Sequence, residues 1–170
     1  LGLDAKNPAI VLSDADLDLA VAECVTGALS FNGQRCTGLK LLYVHRSIAD
    51  SFIKRLGDAV SALKPGMPWE TDVSLTPLPE TDKTKYMNDY LQDALANGAA
   101  IVNNYGGTIH NSFMFPAVVY PVNNTMRLYS EEQFGPIAPV VPFDDIEEPM
   151  RYVVESNFGQ QASIFGNDPA

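Results

Sequence analysis

Two short stretches carry the residue types that could do covalent chemistry. In Phe31-Asn32-Gly33-Gln34-Arg35-Cys36-Thr37, a thiol stands three residues after a glycine and directly beside a guanidinium. The thiolate is the working nucleophile of cysteine, and it is favoured by nearby cations and by exposed backbone N–H donors, both of which this loop can offer. A lone cysteine in a loop is, as a class, more often inert than catalytic, so residue type alone leaves Cys36 open. In Ser130-Glu131-Glu132-Gln133-Phe134-Gly135-Pro136, two adjacent carboxylates precede an aromatic ring and a Gly-Pro turn. Carboxylates so placed can hold sugar hydroxyls, as acidic residues do for nucleotide riboses; a solvated acidic turn is the plain alternative. Cys24 is the natural control. It falls on the apolar stripe Leu17, Ala20, Val21, Cys24, Val25 and Ala28, where a thiol behaves as a small buried hydrophobe.

The elements that must position these residues follow from periodicity. Ala9 to Leu12 is a strand-length apolar run, and Ser13-Asp14-Ala15-Asp16 reads as a capping box that opens a helix ending near Ser30 to Gly33. Leu39 to Val44 is the next strand, and Ser47 to Asp50 repeats the capping pattern before a helix with Ile48, Phe52, Leu56 and Val60 on one stripe. Pro65, Gly66 and Pro68 break that helix and begin a long connection reaching Pro79. Tyr86 to Ala96 is helical with Met87, Tyr90, Leu91, Ala94 and Leu95 on one face, Asn97-Gly98 stops it, and Ala99 to Val102 resumes strand character. Phe113 to Val122 and Ile137 to Phe143 are β-rich, Asp144-Asp145 caps a helix carrying Ile146, Met150, Val153 and Val154, and Ala162 to Phe165 closes with a strand. Strands alternate with helices, which predicts an α/β domain with a largely parallel sheet flanked by helices. No internal repeat or second domain boundary interrupts residues 1–170, so one domain is expected.

Composition narrows the function classes. The formal net charge of −10, with eleven scattered Lys and Arg residues, disfavours nucleic acid and anionic membrane surfaces as partners. No apolar run reaches the length that spans a bilayer. Two cysteines without a C-x-x-C and two histidines, His45 and His110, give no metal site and no disulfide framework, and unpaired thiols point to a reducing compartment such as the cytosol. Gly106-Gly107 belongs to no G-x-G-x-x-G or G-K-[ST] pattern, so a cofactor would be held largely by another part of the enzyme. The opening residue, Leu1, and the immediate strand-like sequence suggest a piece excised from a longer chain.

Taken in order, Lys6-Asn7-Pro8-Ala9-Ile10-Val11, Asp14-Ala15-Asp16-Leu17-Asp18, Gly33-Gln34-Arg35-Cys36-Thr37 and Glu131-Glu132-Gln133-Phe134-Gly135-Pro136 resemble the aldehyde dehydrogenase superfamily. Pro77-Leu78 and Asn157-Phe158-Gly159 extend the resemblance over nearly the whole chain. It implies that Cys36 is the nucleophile, that Glu132 binds the nicotinamide ribose of NAD or NADP, and that Phe134 flanks the nicotinamide. It further implies that the thiolate adds to an aldehyde, that the thiohemiacetal gives up hydride to leave a thioester, and that water releases the acid. The Cys36 N–H and an Asn of the nucleotide-binding domain would share the oxyanion, so Asn32 is not that residue. Met126-Arg127-Leu128, Thr76-Pro77-Leu78 and Arg35 resemble the non-phosphorylating, NADP-dependent glyceraldehyde-3-phosphate dehydrogenases, in which case Arg35 would pair with a substrate phosphate.

The resemblance breaks at the general base. The family places a Glu thirty-four positions before its catalytic Cys, and Gly2 stands there. Either Leu1-Gly2 match the L-G of the motif, with Leu3-Asp4 an insertion and the Glu just upstream, or Asp4 is a shorter-armed substitute. A parent without the base would pass its thioester to coenzyme A. A non-catalytic assembly module of the same fold and a redox-sensing thiol protein are the readings from other classes, and Cys36 reactivity separates them. The expected partners are a small aldehyde and the nucleotide-binding domain of the parent chain, with the parent a homo-oligomer. Without that domain the chain is expected to be inactive.

Overall fold

The computed structural model describes residues 4–159 and 161–167. Six strands form one sheet in the order β3 (Ala100–Ile101), β6 (Ala117–Tyr120), β7 (Ile137–Phe143), β2 (Leu39–His45), β1 (Asn7–Val11) and β8 (Ser163–Phe165). Every neighbouring pair is parallel except β3 with β6. The largely parallel α/β sheet expected from the sequence is therefore present. A separate hairpin pairs β4 (Ile109–His110) with β5 (Phe113–Met114). The β-rich stretch after residue 112 is thus two elements, because Pro116 interrupts the run and cannot donate to a ladder.

Helices cover both faces, and the central strands divide their side chains between two cores. On one face, Leu42 and Val44 of β2 with Ala138 and Val140 of β7 pack against α1 (Leu17–Leu29) and α2 (Arg46–Ser61), which contribute Cys24, Ala28, Phe52, Leu56 and Val60. On the other, Leu41 and Tyr43 of β2 with Ile137, Val141 and Phe143 of β7 meet Met87, Tyr90, Leu91 and Ala94 of α3 (Lys83–Ala96).

The expected helices are there, but their starts differ. Asp16, not Ser13, caps α1, its carboxylate accepting from the Asp18 and Leu19 N–H groups at 3.0 and 3.2 Å. His45 caps α2, with its ring nitrogen accepting from the Ser47 N–H at 3.3 Å. In both places the residue immediately before the first helical position caps the helix rather than the predicted serine. Leu95 of α3 is exposed, unlike its stripe partners. The short helix α4 (Arg127–Ser130) had no counterpart in the sequence reading. The helix α5 (Glu147–Glu155) forms with Glu148 accepting from the Asp144 and Asp145 N–H groups, yet Ile146, Met150, Val153 and Val154 all remain exposed. Among the described residues, no helix is long and apolar enough to cross a membrane.

Candidate active site

The site lies at the amino ends of the parallel strands. Lys6 immediately precedes β1, Cys36 precedes β2, and Glu132 and Phe134 precede β7. Open α/β sheets more often bind ligands beyond the carboxyl ends of their strands, so strand direction alone would have pointed to the wrong edge.

After α1 the chain tightens into a 3₁₀ turn, Ser30–Gly33, in which Phe31 (φ 52°) and Asn32 (φ 56°) adopt left-handed backbone. Non-glycine residues avoid that region unless their surroundings hold them there. Asn32 is held by Thr76 of the long connection: its Nδ2 donates to Thr76 Oγ1 at 2.9 Å, and its Oδ1 accepts from the Thr76 N–H at 3.1 Å. Its side chain therefore ties the turn to the long connection. Gly33 (φ 73°) comes next, where a Cβ would collide with the Gly135 carbonyl oxygen. The glycine of the cysteine loop and the glycine of the acidic loop thus pack backbone to backbone, and their identity sets the spacing of the two motifs.

Cys36 is exposed at the end of this turn. Asn7 Nδ2 donates to the carbonyl oxygens of Cys36 and Gly38, both at 2.9 Å, tying the loop to the start of β1. Among the described residues the Cys36 backbone N–H has no hydrogen-bond partner. The thiol opens into a cavity of about 710 Å³ that is also lined by Asp4, Lys83, Tyr90, Glu132, Phe134 and Phe158. Three residues singled out from sequence, Cys36, Glu132 and Phe134, are therefore brought to one cavity. Arg35 is not among its lining residues. Its guanidinium donates to Ser30 Oγ at 2.9 Å and to Thr37 Oγ1 at 3.4 Å, and lies 5.7 Å from the centroid of Phe31.

The two adjacent carboxylates have different fates. Glu131 is gripped by Arg127, whose Nε and Nη2 donate to it at 2.9 to 3.2 Å, and it also accepts from Tyr90 Oη at 3.1 Å. The Arg127 hydrogen bonds hold its carboxyl below the usual carboxylate range, against an opposing effect of burial. Glu132 has no such clamp: its Oε1 is buried and has no hydrogen-bond partner among the described residues. An orphaned acceptor beside a cavity fits a hydroxyl-bearing ligand, because leaving it unpaired costs free energy that a donor would restore.

Below the cavity lies a polar layer that the sequence reading missed. Lys6 and Lys40 are both 1 % exposed. Lys6 Nζ donates to Gln133 Oε1 at 2.5 Å, and Gln133 Nε2 donates to the carbonyl oxygens of Lys40 and Ile137 at 2.8 and 3.1 Å. Burial pushes both lysines down, Lys6 well below its ordinary value and Lys40 to about 8. The available signal was a charged residue inside the strand-like run Leu39 to Val44, four positions after the candidate nucleophile. The proposed general-base position, Gly2, and its neighbours Leu1 and Leu3 lie outside the described residues; Asp4 lies within them and lines the cavity.

The aldehyde dehydrogenase family model matches residues 1–170. Curated relatives include the NADP-dependent glyceraldehyde-3-phosphate dehydrogenase of Streptococcus equinus, 38 % identical over 99 % of this chain and 35 % of that protein. The vanillin dehydrogenase of a Pseudomonas species is 39 % identical over 99 % of this chain and 34 % of its own length. Among solved structures, the NADP-dependent glyceraldehyde-3-phosphate dehydrogenase of Bacillus halodurans, in complex with NADP, superposes with a TM-score of 0.92 at 36 % identity, covering 97 % of this chain and 34 % of that one. The succinate-semialdehyde dehydrogenase of Burkholderia pseudomallei superposes with a TM-score of 0.93 at 35 % identity, covering 98 % and 35 %. The chain spans about a third of the length of the relatives it matches.

Proposed function

The chain belongs to the aldehyde dehydrogenase family, and on that premise we propose that it supplies the catalytic thiol of an NAD(P)-dependent enzyme oxidising an aldehyde to a carboxylic acid. The observation that carries the reading is the shared cavity of Cys36, Glu132 and Phe134. The nucleotide-binding domain belongs, in this reading, to another part of a longer enzyme.

The Cys36 thiolate adds to the aldehyde carbon, and the carbonyl oxygen takes up the negative charge within reach of the Cys36 N–H, which no described residue engages. A nicotinamide cofactor bound against this cavity would supply the hydride acceptor. Glu132 offers its free Oε1 to a ribose hydroxyl, and Phe134, half-buried beside it, offers a ring face to a flat aromatic group. What remains on Cys36 is a thioester, whose hydrolysis returns the thiol and releases the acid. Asp4, which lines the cavity, is a shorter-armed candidate for taking the proton of the attacking water, since Arg127 engages Glu131 and Glu132 would be engaged by a cofactor ribose.

Glyceraldehyde 3-phosphate is the substrate favoured by relatives of that name and by Arg35 beside the nucleophile. Among the described residues Arg35 engages two hydroxyls and a ring face, which a phosphate would displace. The test is the rate of iodoacetamide labelling at both cysteines of the full-length protein, located by peptide mapping. Labelling of Cys36 faster than a free peptide thiol, with Cys24 protected, is the expected result. Cys36 and Cys24 reacting equally slowly would instead favour a non-catalytic module of this fold.

A further inference from the structure

Lys40 interrupts the pairing of the two central strands at the site. Across β1 and β2, Asn7 faces Leu39 and Pro8 faces Leu41, so Lys40 is the extra residue of a bulge. Bulges beside active sites re-aim one side chain out of the strand's alternation. Here the re-aimed group is an ammonium. Lys40 Nζ donates to the Gly33 carbonyl oxygen at 2.6 Å and stands 5.0 Å from the centroid of Phe134, while the Lys40 carbonyl accepts from Gln133 Nε2 at 2.8 Å. One residue therefore touches both the loop that carries Cys36 and the loop that carries Glu132.

A tie between two loops needs no buried charge. Burying an ammonium is costly, and an amide or apolar side chain could join the loops with less penalty. The charges facing Lys40 show what the ammonium offers in return: Glu132 and the Cys36 thiolate favour its charged form, and Lys83, at the start of α3, opposes it. Lys6 is the other buried ammonium of the layer, but the anions that act on it are Glu132 and Glu131, not Cys36. Among the described residues, Lys40 is thus the buried cation fixed between the loop of Cys36 and the loop of Glu132, with both groups favouring its charge.

We propose that Lys40 is a positioning residue for the covalent step: its ammonium, fixed behind the two loops, holds the Cys36 thiolate ready and the Glu132 carboxylate in place, and losing its proton weakens both. The interaction is one of charge and involves no proton transfer to substrate. It rests on the reading of Cys36 as the nucleophile. Its direction is set by charge and placement: an ammonium fixed between the two loops favours an anion on either of them.

Two measurements on the full-length protein test it together. The first compares iodoacetamide labelling of wild type with Lys40→Met, an uncharged side chain of similar length, using protection of Cys24 to report that the fold is intact. Labelling of Cys36 at pH 7 should fall about tenfold, the scale of one lost charge-assisted contact. The second follows Lys40 by carbon NMR of labelled lysine in wild type and in Cys36→Ala. The Lys40 transition should lie near pH 8 and move down when the thiolate is gone, which a merely structural lysine would not do. A folded Lys40→Met protein that labels Cys36 at the wild-type rate overturns the inference, as does a Lys40 transition that ignores Cys36→Ala. If Lys40→Met unfolds and exposes Cys24, the titration decides alone. Slow labelling of Cys36 in the wild type would instead sink the nucleophile reading itself.

Discussion

Cys24 and Cys36 are the same side chain twelve residues apart, and their surroundings give them opposite chemistry. Cys24 lies on the inward stripe of α1 with no exposed surface, and burial, with a smaller effect of Glu23, pushes its thiol up to about 12. At neutral pH it remains a protonated, inert packing group. Cys36 follows a turn that leaves the helix through left-handed backbone, so its side chain is carried past the edge of the core into a cavity. Regular secondary structure buries a thiol, and a strained exit from it delivers one to solvent. The adjacent carboxylates repeat the contrast on the other loop, where Arg127 engages Glu131 and Glu132 keeps an oxygen unpaired among the described residues.

The comparison can be broken most severely by removing one sulfur and exchanging the other for oxygen. Cys36→Ala in the full-length enzyme should lower kcat by at least about a thousandfold, as loss of a covalent nucleophile does. Cys24→Ser should keep kcat within a factor of about two and lower stability, by about 1 kcal/mol or more, through its buried hydroxyl. Steady-state kinetics and denaturant melts read both. Glu132→Gln should raise KM for the nicotinamide cofactor or lower kcat by about tenfold or more, whereas Glu131→Gln should change activity less and loosen the Arg127 contact. Equal losses from the two would erase the division between them. The smallest effect is expected at Arg35: Arg35→Gln should raise KM for glyceraldehyde 3-phosphate by about tenfold, the scale of one charge-assisted contact.

Much of this arrangement was legible in the sequence, for reasons that individual residues make plain. Strand β7 was read with its observed bounds because both faces of a buried parallel strand are apolar, leaving an uninterrupted run ended by Asp144. The fates of Cys24 and Cys36 followed from helical spacing in one case and a glycine-bounded loop in the other. Helix starts were less legible, because Ser13, Asp16, His45 and Ser47 all offer acceptors and only backbone geometry chooses among them. The surroundings of α5 were not legible for a different reason: the sequence shows that the helix carries Ile146, Met150, Val153 and Val154, but not whether anything within the described residues covers them. The layer of Lys6, Lys40 and Gln133 was hidden because its members come from three separate segments, and no local pattern announces that they meet.

The central claim, that Cys36 carries the substrate as a covalent adduct, is tested most directly by trapping that adduct. The full-length protein is mixed with glyceraldehyde 3-phosphate and NADP, quenched in acid during turnover, and mapped by peptide mass spectrometry. An acyl group on the peptide containing Cys36, with the Cys24 peptide unmodified, is the predicted result. Continued turnover with no modification at Cys36, or an acyl group found on Cys24, would contradict the account.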